Sequence, residues 1–225
     1  MKPLLLTLLL LATTQPIVIR ATRVIDGRGH VVNDAAVVVE GGKIVRIVPD
    51  AKKLKDVTID LGDRTPMPGG VDTHVHIGWH FDAKDGGSHD DETDREETAQ
   101  ESVLYAAENA VRTIEGGITT VQSLGAPVDK PLRDAIARGT LIGPRILTAI
   151  DPISDSKLTP EAMRTAVDKL AGEGADVVKV FASQSIRNGG GPTMSQEQYG
   201  SVARRRRSTC ASPSMRTGRR ACGGR

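Results

Sequence analysis

At 225 residues with 38% hydrophobic positions, the chain has enough apolar side chains to bury one large core or two small ones. Aromatic residues make up only 2%, which excludes a base-stacking surface of the kind that binds single-stranded nucleic acid. The formal net charge of +2 hides an asymmetry: eight of the 30 basic residues and none of the 28 acids fall beyond Ser201, so the body is acidic and only the tail is basic.

Residues 1–14 read as a signal peptide, with Lys2 as the positive start, Leu4 to Ala12 as the apolar stretch and Ala12-Thr13-Thr14 as a small-residue cleavage site. The apolar stretch is shorter than the roughly 20 residues a membrane span needs. A periplasmic or secreted location follows, the alternative being a buried core element. Residues 15–64 hold three short strands, Ile17 to Val24, Ala35 to Glu40 and Lys43 to Val48. Turns lie at Asp26-Gly27-Arg28-Gly29 and Glu40-Gly41-Gly42-Lys43, and His30 is a surface loop residue. Tight turns without an intervening helix point to a small antiparallel unit.

The run Pro68-Gly69-Gly70-Val71-Asp72-Thr73-His74-Val75-His76 is a turn feeding a strand. Strand alternation puts Asp72, His74 and His76 on one face and Val71, Thr73 and Val75 on the other. Two imidazoles on one face are half of a metal site, or else two polar residues on a half-exposed strand. The following loop, Trp79 to Glu97, carries eight acids against Lys84 and Arg95. It is a solvated loop or a lid over the strand end. Its Asp82-Ala83-Lys84-Asp85 start is not a calcium loop, because a lysine stands at the second ligand position. His80 and His89 read as ordinary loop residues or as extra ligands.

From Thr98 the chain alternates helix and strand. Thr98-Ala99-Gln100-Glu101 is a capping box for a helix running to Glu115, which Gly116-Gly117 stops. Strands Ile118 to Gln122, Arg145 to Ala149 and Val177 to Phe181 are separated by helices over Pro131 to Arg138 and from Thr159-Pro160-Glu161 to about Ala171. This spacing predicts βαβ units and a parallel sheet. Lys179 lies inside the last apolar run. Burial there is costly for an ammonium, so Lys179 is neutral, paired or chemically modified, or it snorkels to water.

Four stretches in order, Pro68 to His76, Gly116-Gly117-Ile118-Thr119-Thr120-Val121-Gln122-Ser123, Gly143-Pro144-Arg145-Ile146-Leu147 and Gly174 to Ser183, resemble the metal-dependent amidohydrolase superfamily. Within it they resemble the imidazolonepropionase-like and Xaa-Pro dipeptidase-like branch. The resemblance implies an α/β fold, an incomplete TIM (β/α)8-type barrel preceded by a small β-sandwich segment. Residues 15–64 match the N-terminal part of the sandwich, and residues 65–200 the first half of the barrel, about four of the eight units a closed barrel needs. It also implies that His74 and His76 bind a divalent metal, zinc being expected from imidazole and carboxylate ligands. Lys179 matches a lysine that carbon dioxide carboxylates and that bridges two metals. Only a neutral amine reacts with carbon dioxide, and burial supplies one.

Asp72 shares the histidine face as a structural residue rather than a ligand. Gln122, Ser123, Arg187 and Gly189-Gly190-Gly191 lie near strand ends as substrate contacts or as solvated loop. The family takes two further histidines and a proton-shuttling aspartate from later strands. All five histidines here lie at or before His89, so no catalytic residue can be assigned and at most one weakly held metal is expected. Ser195-Gln196-Glu197-Gln198 caps one more helix, and from about Ser201 the composition turns to Arg, Ser, Gly and Cys. Residues 201–225 are what a GC-rich gene yields when read out of frame, hence an aberrant tail. The only cysteines, Cys210 and Cys222, lie in it, so the body needs no disulfide and holds no metal through thiolates.

The function these readings imply is metal-activated water hydrolysis of a carbon–nitrogen bond in an amide, cyclic amide or Xaa-Pro dipeptide, with little turnover by this chain itself. The alternatives are a non-catalytic exported fragment and a basic-tailed protein for anionic or nucleic-acid partners, although no specific nucleic acid is expected.

Overall fold

In the computed structural model the described residues are 15–81, 88, 89 and 98–210, with only backbone considered at 88, 89 and 204–210. The signal peptide, most of the acidic loop with its rejected calcium motif, and residues 211–225 with Cys222 lie outside them. The chain divides into two compact units between Pro68 and Gly69.

The first unit is one sheet. Strands β1 (Ile17–Ile25), β2 (Val31–Glu40) and β3 (Lys43–Val48) form an antiparallel meander, and the short β4 (Ile59–Asp60) adds parallel to β1, giving the order β3-β2-β1-β4. Gly41 and Gly42 both have positive φ, 55° and 75°, the requirement of a two-residue hairpin closed by the Glu40–Lys43 pair. One face buries Ala21, Val24, Ala35 and Val37. Before β2 the Asp26 carboxylate accepts the N–H groups of Arg28 and His30 and meets the His30 ring at 2.9 Å. The Arg28 N–H above all, with help from His30, pulls its pKa down to about 2. His30 is exposed, as its place in the turn implies.

The second unit holds a parallel sheet in chain order: β5 (Gly70–Val75), then β8 (Ile118–Ser123), then β9 (Arg145–Thr148). Between them lie a minimal antiparallel pair, β6 (His80–Phe81) with β7 (Ser88–His89), and the helices α1 (Ala99–Glu115) and α2 (Asp129–Ala137). The capping box of α1 is fully formed: the Thr98 hydroxyl accepts the Glu101 N–H, and the Glu101 carboxylate accepts from Thr98. Gly117 at φ 81° stops α1 and Gly139 at φ 72° follows α2. The helices bury Ala106, Ala110 and Leu132 against Val121, Ile146 and Ile77. Gly69 and Gly70 answer a close approach. A Cβ on Gly69 would stand 2.1 Å from the Thr119 side chain, and the Gly70 N–H donates to Gly117 O.

Val71 to His74 of β5 are exposed, Val71 by 64%, because the helix-packed cluster reaches only Val75 and Ile77. One expectation needs correction: Val177 to Phe181 is not a strand. It joins through single contacts: the Asp176 N–H donates to Thr148 O, the Ile153 N–H to Lys179 O and the Phe181 N–H to Ile153 O, leaving one parallel bridge at Ile153–Val180. The neighbouring edge explains this. Beyond Thr148, Ile150 has φ 62° and Pro152 has no N–H to give, so no continuous ladder can form.

Helix α3 (Pro160–Glu173) is capped by the Thr159 hydroxyl and ended by Gly174 at φ 93°. Helix α4 (Gln196–Cys210) opens with Ser195 and Gln198 bonded reciprocally, and Gln198 also donates to the carbonyls of Ser156 and Leu158. The change of composition at Ser201 does not end this helix. Ser201 is buried, Val202 packs with Met163, Val167 and Leu170 of α3, and arginine is itself a good helix former. No helix among the described residues is long and apolar enough to cross a membrane.

Candidate metal centre at the strand ends

The C-terminal end of β5 brings His74 and His76 together, with ring centroids 5.7 Å apart. Two imidazoles sharing one ion need about this span, since zinc–nitrogen bonds are roughly 2.1 Å and each ring centre lies beyond its nitrogen. That separation is compatible with the two rings serving as two ligands of one divalent ion. Among the described residues no group of three His, Cys, Asp or Glu completes such a site.

The surroundings of the pair are specific. The Asp72 carboxylate accepts the His74 N–H at 3.0 Å, which fixes the backbone between them. His76 stacks on Trp79, centroids 3.9 Å apart and planes 12° from parallel. The turn after His76 is clamped from α1: the Asn109 side-chain amide donates to Ile77 O and to Trp79 O, each at 2.8 Å. From β8 the buried Ser123 hydroxyl accepts the Ile77 N–H. An open cleft of about 350 Å³ lies here, lined by His76, Trp79, Asn109, Arg112 and Thr113 among others. A cleft of about 280 Å³ in the first unit is lined by Arg20, Asp34, Lys52 and Asp60, charges already paired as Arg20–Asp60 and Lys52–Asp34.

Lys179 is half-buried, and its Nζ sits 4.8 Å from the centre of the Phe181 ring, a cation–π distance. Its segment is braced by Asp176, whose carboxylate takes the Thr148 N–H and the guanidinium of Arg133. Gln122 lies in register with Leu147 on β9, next to helix-packed Val121 and so on the opposite face. Arg187 is exposed on a loop tip closed by the Ser183–Pro192 bridge, where Gly189 and Gly190 have positive φ. His80 stacks on Tyr105 of α1, centroids 3.6 Å apart, while the His89 side chain lies outside the described residues.

Sequence reasoning missed Asn109 and Asp129. Asn109 stands three residues after buried Ala106 and beside buried Ala110, and a polar residue on a helix's core face is a legible signal. Asp129 is fully buried at the start of α2, where an acid normally faces water. Its Oδ2 accepts from the Thr148 hydroxyl at 3.1 Å. Burial pushes its pKa up; the Ser123 and Thr148 hydroxyls and the N–H groups of Ala126 and Gly125 oppose that.

Residues 65–199, more than half of the chain, match the model of the amidohydrolase family. The chain belongs to that family. An allantoinase of Streptomyces avermitilis is 46% identical over 63 residues, 27% of this chain and 14% of that protein. Among solved structures, an Xaa-Pro dipeptidase with methionine bound in its active site is 25% identical and superposes with a TM-score of 0.72, covering 87% of this chain and 55% of that one. Molinate hydrolase, at 20% identity and a TM-score of 0.70 over 87% of this chain and 52% of its own, shares the fold. The chain spans about half the length of the solved structures it matches.

Proposed function

We propose that this chain carries the first part of a metal-dependent hydrolase barrel that cleaves a carbon–nitrogen bond in an amide, cyclic amide or Xaa-Pro dipeptide. The observation that carries the reading is the His74–His76 pair, two rings 5.7 Å apart at the C-terminal end of the first strand of a parallel sheet. A divalent ion held there, zinc by the donor types, would supply Lewis acidity and a more acidic water. His74 and His76 hold the ion, Trp79 backs the His76 ring, and Asp72 is occupied with the His74 backbone. Lys179, once its neutral amine adds carbon dioxide to give a carbamate and a proton, would offer anionic oxygens to the same centre. Gln122 and Arg187 are candidates to orient the substrate. The leader composition supports export to the periplasm or beyond.

Cobalt(II) titration of the 225-residue chain tests this. The wild type is expected to take one equivalent, and His74→Ala and His76→Ala each to weaken it at least tenfold. With no third His, Cys, Asp or Glu completing the site among the described residues, hydrolysis of an Xaa-Pro dipeptide should be at or near background. Cobalt uptake that is indifferent to both substitutions sinks the reading.

A further inference from the structure

Three strand ends and the Lys179 segment meet around one cluster of buried polar groups, and its centre is a residue with no part in the metal pair. The Ile77 N–H, just past His76, donates to the Ser123 hydroxyl at the end of β8. That hydroxyl lies against the Asp129 carboxylate. Asp129 Oδ2 takes the Thr148 hydroxyl at the end of β9, while its buried Oδ1 has no hydrogen-bond partner among the described residues, and Thr148 in turn accepts the Ile150 N–H at 2.8 Å. The backbone of Thr148 receives Asp176 and Val177, which lead to Lys179. Ser123, Asp129 and Thr148 are each fully buried.

A carboxyl in such a place costs far more than a leucine unless hydrogen bonds compensate it. What these bonds join are the two segments that carry His76 and Lys179. They also hold Ile150 at φ 62°, a conformation a β-branched residue adopts only where its surroundings impose it.

We propose that Asp129 is a positioning residue that sets the spacing between the His74–His76 end of β5 and the Lys179 segment, through Ser123 on one side and Thr148 on the other. The proposal rests on the metal-centre reading above, and its test separates the two. In the 225-residue chain, Asp129→Ala is expected to speed hydrogen exchange of the Ile77 and Ile150 amides at least tenfold relative to Ala110 inside α1, which reports general stability. Asp129→Asn, which can still accept from Thr148, should recover part of that protection. If the alanine variant does not fold, Thr148→Val serves: it removes only a hydroxyl on the far side of the carboxylate, yet should speed Ile77 about threefold. With cobalt(II) alone as probe, Asp129→Ala should bind about tenfold more weakly. Ile77 exchange that merely tracks Ala110, or cobalt affinity equal to that of the wild type, overturns the proposal. If the wild type takes no cobalt, the metal reading falls while the exchange experiment still decides the role of Asp129.

Discussion

The end of β5 and the segment around Lys179, the two sides of the proposed site, are built differently. At β5 the chain leaves a regular strand and is caught at once by neutral side chains, the Asn109 amide and the Ser123 hydroxyl, with Trp79 stacked beneath His76. At Lys179 there is no strand, only one bridge, and the bracing is ionic: Arg133 reaches Asp176 and Asp134, and Lys130 reaches Asp134. The histidine side is thus preorganised by short, directional, partly buried bonds. The lysine side depends on charge at a half-exposed surface, where pairs are worth less.

The largest effect expected is at the root of the histidine side. Gly69→Val puts a branched side chain where even a Cβ stands 2.1 Å from Thr119, so β5 must shift against β8. Such overpacking costs about 1–3 kcal/mol, to be read as a drop in the unfolding midpoint. A midpoint equal to that of the wild type would show that β5 tolerates displacement and is not the rigid side. Asn109→Leu comes next. It leaves the carbonyls of Ile77 and Trp79 without the amide that serves both, at about 1–2 kcal/mol. Trp79 is the sole tryptophan, so its emission reports this turn directly. Unchanged emission would remove the clamp from the comparison.

What could be read in the sequence follows from how local its causes are. The capping box at Thr98, the Thr159-Pro160 start of α3 and the glycine stop after Glu115 depend on residues a few positions apart, and each is where the pattern puts it. The Val177–Phe181 run reads as a strand on its own, but pairing needs a partner edge, and the bend at Ile150 and Pro152 denies it one. Val71 and Thr73 alternate as a buried face would, yet burial is decided by what covers the strand. Asp129 is the hardest case. In sequence it is one acid at a helix start, and only the convergence of β8 and β9 over it makes it a buried carboxylate.

The lysine side gives the smaller predictions. Arg133→Ala removes the guanidinium from Asp176 and from Gly174 O, and should destabilise by roughly 1 kcal/mol. Its effect is selective: the Ile153 and Phe181 amides, which make the Ile153–Val180 bridge, open sooner, while Ile77 does not.

Salt should do the same without a mutation. At about 1 M the screening length falls to roughly 3 Å, enough to weaken exposed pairs and not neutral hydrogen bonds. Exchange at Ile153 and Phe181 should then rise about twofold, with Ile77 unmoved. Acid acts through Asp134, whose carboxyl is held below the usual range by Lys130 first and Arg133 second. Its contribution is complete above the unfolded value of about 3.9 and is lost as pH falls through the lower folded value. As pH falls below about 3.9, a selective opening at Ile153 and Phe181 belongs to the Asp134 carboxylate. Equal opening at Ile77 would mean that both sides rest on charge, and the contrast between a neutral clamp and an ionic brace would be gone.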